Sequence, residues 1–269
     1  MNSRIRNILS HEWRYLVGSV SNLLYVTVIP FLLTGEALLV IALVHRFAGS
    51  AIAQSGALTP MLDRMAAQVP ILSAASREQQ VLAFLVYQFS FFSLLVPAMI
   101  ANVFATLSLV EEKLSHILEP LLATPVRTWE LLLGKALAGA IPAVVVSWIC
   151  TGLFLLGGSA LSWGNAIRAV LSPGWLLSVL LLAPIVALAS FLIGIVGSAR
   201  AADPKGAQAA AIFLVIPLFG LIALQATGVV WFSAGVVLLL AAALVLIDLL
   251  LLRLAVRLFS RETVVIRWR

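Results

Sequence analysis

EEKLSHILEPLLATPVRTWELLLGK, residues Glu111–Lys135, is a polar-sprinkled segment set between two strongly apolar runs. At helical spacing Leu114, Ile117, Leu118, Leu121 and Leu122 form one apolar stripe, with Glu112, Ser115, His116 and Glu119 on the other side. An amphipathic helix between two membrane spans lies flat at the interface or docks on a partner. The surrounding chain decides whether those spans exist.

The 269 residues are 62% hydrophobic and only 10% charged, with a mean hydropathy of +1.13. Soluble domains carry about 25% charged residues. The composition therefore predicts an all-α integral membrane protein. Six runs are long enough to cross a hydrocarbon core, which takes roughly 20 residues. They lie at residues 22–44, 83–108, 135–157, 174–197, 207–225 and 229–252. Residues 109–134 connect spans two and three, and residues 45–82 connect spans one and two. Barrel strands are shorter and alternate, so a barrel is excluded.

Basic residues orient the chain. Thirteen of the 17 Lys and Arg fall at the N-terminus, in the second and fourth connections and in the C-terminal tail; four fall on the other side. The positive-inside rule then predicts cytoplasmic termini and an external 45–82 loop, in the plasma or inner membrane. The basic excess sits beside the membrane and calls for membrane lipid, with no nucleic acid partner. The single cysteine, Cys150, lies in the third span and can form no disulfide within the chain. The first apolar run is too long for a cleavable signal.

Residues 1–20 place Ile5, Ile8, Leu9, Trp13, Leu16, Val17 and Val20 opposite Arg6, Asn7, Ser10, His11 and Arg14. This predicts an N-terminal interfacial helix; the alternative is an extension of the first span. In the external loop, Gly49, Ser50, Ser55, Gly56 and Pro60 read as irregular chain. Met61, Leu62, Met65, Val69 and Leu72 read as a short helix on the outer leaflet, either a lid or a plain connector. Trp163, Trp175 and Trp231 fall at outer span ends, and Trp129 and Trp268 at inner ones, as an aromatic belt would. Pro142, Pro184 and Pro217 interrupt spans.

Candidate pathway residues follow from polarity inside the spans. Ser90, Ser93, Pro97, Ala101, Ala105 and Ser108 share one face of the second span. Small residues allow close helix approach, so this face is a packing seam, a dimer face or a pathway lining. Asn102 beside it must face protein or water. Glu36 lies in the outer half of the first span next to Gly35, which suggests close backbone approach there. An intramembrane acid is a functional candidate by default. Asp248 reads instead as near enough to the cytoplasmic end to pair with Arg253 or Arg257.

Catalytic patterns are missing. No phosphate-binding GxxxxGK[ST] occurs, since Gly134-Lys135 is followed by Ala136. The three histidines, at 11, 45 and 116, have no zinc-binding spacing. No Ser/His/Asp or Ser/Lys set is evident. The chain reads as a pathway, with no enzyme activity and no metal of its own.

Glu112, Leu118-Glu119, Leu121-Leu122, Thr124-Pro125-Val126, Glu130-Leu131 and Leu133-Gly134-Lys135 resemble the signature of type-2 ATP-binding-cassette (ABC) transporter permeases. Residues 199–208, ARAADPKGAQ, and the tail Leu258-Phe259-Ser260-Arg261-Glu262 are similar to that family's short cytoplasmic turn and ending. Two features depart from the pattern: His116-Ile117 replaces Gly-Thr, and Pro120 interrupts the helix. The resemblance implies a single transmembrane domain of six spans. It also implies a cytoplasmic ABC ATPase partner and a second permease copy or paralogue. ATP and Mg would be held by the partner, with no cofactor on this chain. Glu112, Lys113, His116, Glu119, Thr124, Pro125 and Arg127 are then the candidate ATPase-coupling residues, and transport is expected to be export. Two other readings stay open. A gradient-driven carrier or channel needs more intramembrane charge than Glu36 supplies, and a non-transporting scaffold needs none.

Overall fold

The computed structural model describes residues 6, 8–10, 12–13, 20–56, 58–90, 92–114, 128–200, 212–227 and 233–259. All regular elements among them are helices. They are α1 (Val20–Phe47), α2 (Gly49–Ser55), α3 (Thr59–Gln68), α4 (Pro70–Ser73), α5 (Arg77–Ser90) and α6 (Phe92–Leu114). After the 115–127 connection come α7 (Thr128–Ala160), α8 (Gly164–Val170), α9 (Pro173–Leu177), a π-helical turn (Ser178–Leu182) and α10 (Ala183–Arg200). The chain ends in α11 (Ile212–Ala226) and α12 (Ala234–Leu258).

Five stretches among the described residues are long and apolar enough to cross a membrane: 26–47, 77–106, 128–160, 173–198 and 234–258. The fifth expected span, 207–225, is described only from Ile212, as α11 to Ala226. Residues 201–211, where it was expected to begin, lie outside the described residues. The third span starts at Thr128 rather than 135, and the last at Ala234 rather than 229. Hydropathy marks where a helix is buried in lipid; backbone hydrogen bonding carries the helix past that boundary.

Local chemistry explains several ends. Ser172 accepts a hydrogen bond from the Trp175 N–H and Pro173 follows it, so α9 starts there. Ser233 accepts from the Val236 N–H and starts α12. Pro184 does not break its span. The π turn at Ser178–Leu182 immediately precedes it, and a wider turn is one way a helix absorbs a missing N–H.

The centre of the bundle is the α6–α10 pair. A Cβ on Gly194 would sit 2.7 Å from the Ala105 Cβ, so only glycine permits this approach. Asn102 Nδ2 donates to the Ser190 carbonyl at 3.3 Å, and Ser190 Oγ donates to the Ala98 carbonyl at 2.6 Å. Small residues with polar cross-links are how helices associate in lipid. Val96, Ile100, Phe104, Leu132, Ala136, Phe191 and Ile195 complete a core at the end of the bundle bearing the 115–127 connection. At the opposite end Ile41, Met65, Leu72, Val86, Phe154, Trp163, Ile167 and Trp175 form a second core.

That second core corrects three expectations. Gly49, Ser50 and Ser55 are helical, in α2, not irregular. Leu62, Met65 and Leu72 are buried against the chain's own helices rather than spread on a leaflet. Trp163 and Trp175 face the same interior, with 4% and 6% exposure, so they are no part of an outward belt. The excursion is tied down by Gln80 Nε2, which donates to the Leu72 carbonyl, and by Arg64 Nη1, which donates to the Thr227 carbonyl at the end of α11.

Candidate functional site

The sequence-derived coupling residues cluster where α6 hands over to α7. The α6 backbone stays helical through Glu112 and Lys113 to Leu114, and α7 begins at Thr128. His116, Glu119, Thr124, Pro125 and Arg127 lie outside the described residues. What the structure does show is how both ends of this connection are held.

Three polar side chains from three segments meet there. Lys135 Nζ, from the second turn of α7, donates to Glu12 Oε1 at 2.6 Å. It also donates to Ser108 Oγ, near the end of α6, at 3.0 Å. Ser108 Oγ donates to Glu12 Oε2 at 3.2 Å. Each charge therefore has its countercharge, and the hydroxyl bridges them. Lys135 is 2% exposed and Glu12 is 8% exposed, so this ion pair is buried. The surrounding contacts repeat along the helix. Ile8 packs so closely on Gly134 that a Cβ there would fall 3.0 Å from its Cγ2. Trp13 Nε1 donates to the Ala138 carbonyl at 3.1 Å. Ile8, Glu12 and Trp13 thus pack along Gly134, Lys135 and Ala138, and the N-terminal segment clamps the start of α7 to the end of α6.

Ser108 and Lys135 were not expected to meet, and a Ser/Lys pair at 3.0 Å invites a catalytic reading. The geometry argues against it. Ser108 Oγ and Lys135 Nζ both donate to the Glu12 carboxylate, so the hydroxyl is turned to the acid and away from the amine. Among the described residues no group of His, Cys, Asp and Glu has metal-binding geometry.

The candidate pathway set separates into two parts. Ser93, Pro97, Ala101 and Asn102 are buried inside the chain, so the small-residue face of the second span is a packing seam of this chain. Ser90 is helical in α5. Glu36 stands apart. It is exposed, and a Cβ on the neighbouring Gly35 would meet nothing within 4 Å. The close backbone approach expected at Gly35 does not occur within the chain. Asp248 also departs from expectation. No ion pair joins it to Arg253 or Arg257 among the described residues, and its Oδ1 is buried without a hydrogen-bond partner there.

Between α1, α6 and α7 lies a cavity lined by Thr34, Ser93, Ser147, Cys150, Thr151 and Trp175, among others. Thr34, Ser147 and Thr151 donate their hydroxyls to the carbonyls of Pro30, Ser93 and Ser147. The lining carries no charged side chain.

Sequence reasoning missed Glu12, Ser108 and Lys135 as a unit. Glu12 lay within an amphipathic segment without an assigned side, and Lys135 was taken as a span boundary. The available signal was one acid and one base, each beside the membrane edge in segments predicted on the same side.

A family model described as ABC-2 family transporter protein matches residues 24–247. No curated protein and no solved structure matches the chain.

Proposed function

From the premise that this chain belongs to the ABC-2 transporter family, we propose that it is the permease half of an ATP-driven exporter, worked by a separate cytoplasmic ATPase. The family makes it a multi-pass membrane transport component. The finer reading rests on the Glu12–Ser108–Lys135 clamp. A connection that receives force must be anchored at both ends, or the force is lost in bending. Here Ser108 precedes the connection, Lys135 follows it, and Glu12 ties both to a third segment. Glu112, Lys113, His116, Glu119, Thr124, Pro125 and Arg127 then form the surface the ATPase meets, with both termini in the cytoplasm. ATP and Mg belong to that partner.

A second chain, identical or paralogous, completes the pathway in this reading. The supporting observation is that α1 and α12 leave most of their apolar surface uncovered among the described residues.

The test is co-reconstitution with a candidate ATPase in liposomes. Vanadate-sensitive, ATP-dependent transport is expected, with ATP hydrolysis stimulated by the permease. Glu12→Lys and Lys135→Glu should each abolish stimulation, and the double variant should restore part of it. Stimulation that survives both single reversals would remove the clamp from the coupling path. A gradient-driven carrier gains some support from the unpaired Asp248. It would transport without ATP and ignore vanadate.

A further inference from the structure

Two indoles of the bundle donate to backbone carbonyls: Trp13 Nε1 to Ala138, and Trp148 Nε1 to Val179 at 2.9 Å. Trp175 does not. It is 6% exposed, and its Nε1 is buried with no hydrogen-bond partner among the described residues. Such a donor is uncommon in a folded interior, because the contact with water that it lost is not offset. Trp175 also lines the cavity between α1, α6 and α7. That cavity has about 410 Å³ of empty space, counting the part that opens to the outside. Leu33, Ala37, Phe89, Val96 and Phe154 give it apolar walls, and no charged side chain reaches it. Three of its hydroxyls already serve the backbone. Ser147 Oγ donates to the Ser93 carbonyl at 2.8 Å, which Pro97, four residues on, has no N–H to meet. Thr34 and Thr151 donate to the Pro30 and Ser147 carbonyls of their own helices.

These features define what fits the cavity. An ion there would have no countercharge, at a large desolvation cost. The walls favour an apolar body, and the indole N–H calls for one acceptor. A mostly apolar pocket with one placed polar group is the usual form of a small-molecule site. We propose that this cavity binds a small neutral organic molecule through an uncharged oxygen acceptor, a carbonyl or ether, that takes the Trp175 N–H. The site needs no ATPase and lies apart from the Glu12–Ser108–Lys135 clamp.

The test uses the full chain in lipid nanodiscs with isotope-labelled tryptophan, read by proton–nitrogen correlation NMR. The probes are cyclohexanone and methylenecyclohexane, rings of similar shape with and without the acceptor oxygen. Trp175→Phe identifies the Trp175 indole signal by its loss, and the signals of the other six tryptophans report that the variant folds. Cyclohexanone should move the Trp175 indole proton downfield, saturably, as the hydrogen bond forms. The Trp148 signal should stay in place, because its proton already meets the Val179 carbonyl. Methylenecyclohexane should give no downfield shift. Ala37→Leu, which fills the apolar side of the cavity, should abolish the response to cyclohexanone while the Trp175 signal remains. A Trp175 signal that ignores cyclohexanone, moves equally with the hydrocarbon, or responds undiminished in Ala37→Leu would overturn the proposal.

Discussion

Lys135 shows how much one buried charge can decide. Its ammonium is met by Glu12 from the N-terminal segment and by Ser108 from α6. Removing one partner of a buried pair strands the other charge, at about 3–5 kcal/mol. Lys135→Met should therefore lower the thermal midpoint of the detergent-solubilised protein markedly. Adding Glu12→Leu to it should recover much of the loss, since paired charges replaced by apolar groups are often tolerated. A double variant no more stable than Lys135→Met would show that the pair matters for something other than mutual neutralisation. Ser108→Ala should cost less, about 1–3 kcal/mol for the lost bridge, because the ion pair itself remains.

Among the elements, α6 and α10 are the joint on which the bundle depends. Ala101 and Ala105 are 0% and 1% exposed, and Ala105 lies against Gly194 of α10. Ala101→Phe adds a ring where no space exists, and overpacking costs about 1–3 kcal/mol or more. The expected result is less folded monomer in fluorescence-detected size-exclusion chromatography. A normal monomer that merely fails to dimerise would mean the seam is an intermolecular face after all. Gly194→Leu should behave as Ala101→Phe does, because Ala105 and Asn102 already occupy the space its side chain needs. The coupling connection should show the opposite pattern. Glu112→Lys and Glu119→Lys should spare abundance, since exposed polar changes are usually small. They should still reduce stimulation of ATP hydrolysis, because reversed charges repel a complementary partner surface.

For the whole molecule the question is which way it sits. The distribution of Lys and Arg predicts that the clamp lies on the cytoplasmic side and the α2–α5 excursion outside. The contacts agree on internal consistency: Arg64 in α3 reaches Thr227 at the end of α11, so these two connections share one end of the bundle. Cysteines introduced at Ser55 and Ser260 would be challenged with an impermeant thiol reagent on intact cells. Ser55 is exposed and should label, and Ser260 should not. The reverse pattern would invert the topology and put the proposed ATPase surface on the wrong side.

Membrane residence and helical class were legible in the sequence, because hydropathy acts over whole segments and needs no neighbour. The family signature between residues 112 and 135 was legible for the same reason, being contiguous in the chain. Asn102 was also readable, since an amide in lipid has to find a partner. Other features depended on which helix faces which. The small-residue stripe of the second span has the same spacing whether it meets α10 or another chain. The pattern on Met61–Leu72 is equally amphipathic on a leaflet and on a protein core. Trp175 sits at a span end in either case, and only packing turns it inward. The ion pair is the clearest instance: Glu12 and Lys135 are separated by 123 positions. Their contact exists because α6 and α7 meet at one corner where the N-terminal segment closes over them, a proximity that tertiary packing alone creates.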